Sequence, residues 1–102
     1  SQGLMDKALN TSERGRVDAV LHDFSQQPCV QFDKISTRQA GERSFVDLHL
    51  HVPGAWSLSL AARWRDRTEA ALMARVPGLR ARIELLPRGV DTVYERQKSA
   101  AD

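Results

Sequence analysis

From Val46 to Val52 the chain reads Val-Asp-Leu-His-Leu-His-Val, a strict alternation of aliphatic and polar side chains. Successive side chains of a β-strand point to opposite faces, so Val46, Leu48, Leu50 and Val52 share one face and Asp47, His49 and His51 share the other. The aliphatic face has to be buried. The polar face then carries two imidazoles and a carboxylate in one direction, and this parity constrains the fold more than any other stretch.

The flanking segments supply what such a strand needs. Val30 to Arg38 leans toward strand, and Gln39-Ala40-Gly41-Glu42 is short, polar and glycine-containing, as a hairpin turn requires. Ser44 to Val52 is the second strand, broken by Pro53-Gly54. Ser57 can cap a helix whose apolar stripe is Ala61, Trp64, Thr68, Ala71 and Leu72, and Pro77-Gly78 stops it. Leu79 to Leu86 is a third strand with Ala81, Ile83 and Leu85 on one side and Arg82, Glu84 and Leu86 on the other.

Ahead of the hairpin, Asn10 can accept from the free amides of a first helical turn, and Glu13 completes a capping-box spacing. Val17, Val20, Leu21 and Phe24 recur at helical intervals, and Gln26-Gln27-Pro28 ends the run. The predicted order is α-β-β-α-β, an α+β fold. A strand–helix–strand crossover makes the second and third strands parallel, and the hairpin pair is antiparallel. Both helices are expected on one face of the three-stranded mixed sheet, leaving bare the face with Asp47, His49, His51, Arg82 and Glu84. Residues 1–10 read as an entry segment, 11–87 as the domain, and 88–102 as a polar tail expected to fray.

With 102 residues, 41% of them hydrophobic, the chain suits one core rather than two. No apolar run approaches the ~20 residues of a membrane-crossing helix, so the stretch is expected to be soluble. Ser1–Asn10 lacks the pattern of a secretory signal. A single cysteine, Cys29, excludes an internal disulfide and points to a reducing compartment. The net charge of +2 is spread out, and Arg63, Arg65 and Arg67 fan around their helix. The bare face offers Phe45, with Phe32 as a second candidate, too few aromatics for RNA stacking, so no nucleic acid is expected.

His49 and His51 project together, with Asp47 beside them and Glu84 added if the third strand is a neighbour. Imidazole with carboxylate suits Zn²⁺ and similar divalent ions. The competing reading is an ordinary polar strand surface. There is no Gly-x-Ser-x-Gly elbow, no motif around Cys29 and no phosphate-cradling glycine loop, so no catalytic residue is assigned. His22 and Cys29 read as surface and packing residues.

Ser36-Thr37-Arg38-Gln39-Ala40-Gly41 followed by Phe45-Val46-Asp47-Leu48-His49 resembles the cytoplasmic C-terminal domain of cation diffusion facilitator transporters. Leu4-Met5-Asp6, the register Ser57, Ala61, Trp64, Thr68, Glu69, Leu72, and Val76-Pro77 extend the similarity over Gly3 to Pro87. The resemblance implies a ferredoxin-like, metallochaperone-like α-β-β-α-β tail on the cytoplasmic side of the cell membrane. It also implies a homodimer attached to its own transmembrane domain, regulating efflux of a divalent cation, often Zn²⁺, in exchange for protons. It places His49 on the family's strand histidine. Ala62 stands where the helix histidine is expected, Glu84 where the last-strand histidine is, and Leu86 where the acid before Pro87 is. Glu84 can still ligate; Ala62 and Leu86 cannot, so an altered or weakened site is expected.

Three readings stay open at this level. The domain pairs and binds an ion through His49 with His51, Glu84 or Asp47; or it pairs without metal; or it is a free-standing small αβ enzyme or binding domain.

Overall fold

The alternating run becomes the central strand of the sheet. The computed structural model describes residues 8–89, so the readings made for residues 1–7 and for 90–102 lie outside it. The elements are α1 (Thr11–Phe24), β1 (Gln31–Ala40), β2 (Arg43–Val52), α2 (Leu58–Arg75) and β3 (Leu79–Pro87). The sheet order is β1-β2-β3, with β1 antiparallel and β3 parallel to β2. Fold class and strand polarity agree with the sequence reading. Among the described residues, no helix is long and apolar enough to cross a membrane.

Val46, Leu48, Leu50 and Val52 are all buried. They meet Val17, Val20 and Leu21 of α1, Ala61 and Leu72 of α2, and Leu79 of β3 in one apolar core. Leu9, Val30 and Val76 close it at the element ends. Thr68 sits in this core with its hydroxyl donating to the Trp64 carbonyl oxygen (2.8 Å), which satisfies the polar group inside its own helix.

The helix starts follow local chemistry. Asn10 caps α1 by accepting from the Glu13 amide at 2.7 Å, and Ser57 caps α2 by accepting from the Leu60 amide at 3.1 Å. Glu13 does not close a reciprocal box onto the Asn10 backbone. Its carboxylate accepts from the Asn10 side-chain amide (3.3 Å) and from the buried Ser44 hydroxyl (3.4 Å), which ties the start of α1 to β2. Asn10→Ala is expected to lower stability by about 1 kcal/mol. In a domain of this size a thermal melt should show a fall of about 5 °C.

The hairpin differs from the expected four-residue turn. Strand pairing continues to Ala40 opposite Arg43, leaving Gly41 and Glu42 as a two-residue turn. Gly41 has φ +62°, which a mirror-image hairpin turn favours and a side chain resists.

A second irregularity decides where β1 points. Pairs from Ala40–Arg43 to Ser36–Asp47 run in one register, and from Asp33–His49 the register has moved by one. Between them β1 spends two residues, Lys34 and Ile35, against Leu48 alone. Lys34 takes the left-handed conformation, φ +54°, at this bulge. A non-glycine residue there stores roughly 1–2 kcal/mol of strain. Upstream of the bulge the faces exchange: Phe32 packs against the core and Asp33 joins the polar face. Phe32 is therefore not on the bare face, because one extra residue turned it inward.

Candidate metal centre

The three strands lay the polar face out in rows. Arg38, Phe45 and Arg80 form one row, Ser36, Asp47 and Arg82 the next, then Asp33, His49 and Glu84, and finally Gln31, His51 and Leu86. Arg38 stacks over the Phe45 ring at 4.1 Å. Basic and aromatic side chains thus gather toward the hairpin end. Carboxylates and imidazoles gather toward the end where β2 stops.

Asp33, His49 and His51 are the group among the described residues whose donor atoms converge closely enough to hold a metal ion. One carboxylate oxygen and two ring nitrogens lie within 4.8 Å of one another. Asp33 Oδ1 is 3.0 Å from His51 Nε2 and 3.8 Å from His49 Nδ1. Donors sharing one tetrahedral ion with ~2.1 Å bonds stand about 3.4 Å apart. The two Asp33 distances fall on either side of that value.

The ring of His51 is oriented from behind. Its Nδ1 lies 3.2 Å from the Pro87 carbonyl oxygen. A carbonyl only accepts, so Nδ1 carries the hydrogen and Nε2 faces Asp33. A proton or a metal ion can join that nitrogen to the carboxylate. A backbone carbonyl holding the far nitrogen of a ligating histidine is the usual outer support of a metal site. His51 is on the expected face, yet it is only 4% exposed, because Asp33 and the end of β3 close over it.

His49 is half-buried, and its rings' other side meets Glu84: Nε2 lies 3.6 Å from Glu84 Oε1. Glu84 therefore stands on the far nitrogen of His49, outside the three-residue cluster. Asp47 is not drawn into the cluster. It occupies the neighbouring row against Arg82, in a hollow also lined by Lys34, His49 and Glu84. Leu86 borders His51 and Ala62 lies on α2, so neither offers a donor where the resemblance expected one.

Asp33 was not singled out from the sequence, although a signal was present. The apolar positions Val30 and Phe32 are two apart, but the next, Ile35, follows after three. That phase break marks an inserted residue, and it moves Asp33 across to the imidazoles. The donor set fits a divalent ion: two imidazoles and a carboxylate match Zn²⁺ and its first-row neighbours.

The family profile described as the cytoplasmic domain of cation efflux proteins matches residues 10–87. The cation-efflux pump FieF of Serratia proteamaculans is 36% identical over 78 residues, which are 76% of this chain and 25% of that protein. The uncharacterized transporter sll1263 of Synechocystis sp. is 31% identical over 84 residues, 82% of this chain and 27% of that protein. The chain thus spans about a quarter of the length of these relatives. CzrB, assigned as a zinc transporter and solved in its Zn form, is similar with a TM-score of 0.73 and 35% identity, covering 86% of this chain and 99% of that one. The metal-bound C-terminal domain of CzcD from Thermotoga maritima shares the fold, with a TM-score of 0.67 at 18% identity over 80% of this chain and 98% of that one. With a matching profile across most of its length and a relative of this similarity, the chain belongs to the family of cation efflux proteins, as their cytoplasmic domain.

Proposed function

We propose that this domain is the regulatory tail of a divalent-cation efflux transporter, and that it takes up the ion, zinc foremost, through Asp33, His49 and His51. The observation that carries this reading is the convergence of those three donors, with the far nitrogen of His51 fixed by Pro87. Glu84 supports His49 from outside and is a further ligand if its side chain swings inward. Asp47, one row away, contributes charge rather than a bond. The Zn form of CzrB, at 35% identity, supports the choice of zinc.

In this reading two copies pair through the bare face, with the contact extended at the sheet's end by Leu58 of α2, 78% exposed beside a hollow lined by Trp56, Leu85, Leu86 and Pro87. The ion favours the paired arrangement by binding it more tightly than the separated one, and this differential affinity is what could couple cytoplasmic metal to transport. Residues 1–10 would lead in from the membrane domain on the cytoplasmic face, and 88–102 would trail as a tail. The family is one of transporter domains rather than enzymes, and no catalytic step is assigned to this chain.

A second reading is supported by Ala62 and Leu86, which remove two donors: pairing without metal. Sedimentation equilibrium separates the two. Zn²⁺ is expected to raise the dimer fraction and excess chelator to lower it. A dimer unaffected by chelator would favour pairing alone, and a monomer under every condition would overturn both.

A further inference from the structure

We infer that Lys34 is a positioning residue for the metal centre, acting through its backbone: the left-handed bulge it forms is what holds Asp33 opposite His49. The inference rests on reading Asp33, His49 and His51 as the ion's ligands, and adds which residue makes Asp33 one of them.

The register carries the argument. Continued without the bulge, the hairpin pairing would set Lys34 opposite His49 and Phe32 opposite His51, with Asp33 facing the helices. The observed pairing sets Asp33 opposite His49 and Phe32 opposite Leu50. The change is confined to the two residues facing Leu48, and Lys34 is the only non-glycine residue described with positive φ. Strain held at one residue beside a ligand is the expected mark of a positioning device. Its side chain lines the hollow shared with His49, Glu84 and Asp47. Charge and conformation at position 34 must therefore be separated by experiment.

Glycine and valine both remove the ammonium, but glycine accepts φ +54° freely and a β-branched residue resists it. Zn²⁺ affinity measured by calorimetry is expected to be at least tenfold weaker in Lys34→Val than in Lys34→Gly. Lys34→Asn, also tolerant of this conformation, should match glycine to within about threefold. In an Asp33→Ala background, Lys34→Val should weaken binding no more than twofold further, since the ligand it positions is gone. A merely structural role would instead weaken both backgrounds alike. If Lys34→Val fails to fold, Lys34→Ala, with only a Cβ, should give the same order at smaller amplitude.

Equal affinity in the valine and glycine variants overturns the inference, as does an undiminished valine effect without Asp33. Wild-type protein that takes up no Zn²⁺ overturns the metal centre itself, a result distinct from either. A nuclear Overhauser contact between Asp33 and His49 in the metal-free protein reports the register independently. It should persist in Lys34→Gly and weaken in Lys34→Val.

Discussion

Zn²⁺ titrated into the His49→Ala variant is expected to give no binding heat, and Asp33→Ala should weaken binding by at least about a hundredfold. Each removes one of three converging donors, and the loss of a donor cannot be made good by Ala62 or Leu86. Asp47→Ala should bind within a few-fold of wild type, because that carboxylate lies a row away against Arg82. Asp47 is as close to His49 along the chain as His51 is, so the contrast with Asp33 distinguishes sheet geometry from sequence proximity. Equal losses in Asp33→Ala and Asp47→Ala would contradict the assignment, and identical traces for wild type and His49→Ala would remove the site. His49→Ala and Asp47→Ala should melt close to wild type, whereas Asp33→Ala leaves the buried His51 Nε2 without its partner and is expected to melt several degrees lower.

Leu50→Ala should have the largest effect on stability. Leu50 is fully buried on β2, the central strand, in the core that both helices share. Its truncation removes apolar contact and leaves a cavity that the surrounding sheet cannot collapse into, at about 3 kcal/mol. For a domain of this size that corresponds to a melting temperature lower by about 15 °C, read by circular dichroism. A shift under 5 °C would mean the core repacks far more readily than its burial indicates. The consequence for the site follows from parity. Leu50 lies between His49 and His51 in sequence, and its seating in the core aims both imidazoles outward.

That parity explains how much of the molecule was legible beforehand. Val46 to Val52 state their two faces outright, the turn glycine announces the hairpin, and Ser57 and Asn10 announce their helices. The crossover rule then sets β3 parallel to β2. These inferences need only local chemistry and period. The position of Asp33 needs a count across strands: a single unpaired residue reverses every side chain upstream of it. Only the irregular spacing of Phe32 and Ile35 hints at it. The turn reads as longer than it is for a related reason, since polar Gln39 and small Ala40 look like loop residues but pair in the strand edge. The burial of His51 was also out of reach, because it depends on how the last residue of β3 closes over a ring 36 positions earlier.

That closure links His51 to the way the chain leaves the domain. The Pro87 carbonyl grips one nitrogen of His51, and the next residue is moored twice, Arg88 by its amide to the Val52 carbonyl oxygen (2.8 Å) and by its guanidinium to the Pro28 carbonyl oxygen (2.9 Å). A tug on the departing polypeptide must break those moorings before it can shift the imidazole. The His51 ring is thereby shielded from ordinary jostling of the chain beyond it, yet a pull strong enough to free Arg88 would unclamp that ring at the same stroke.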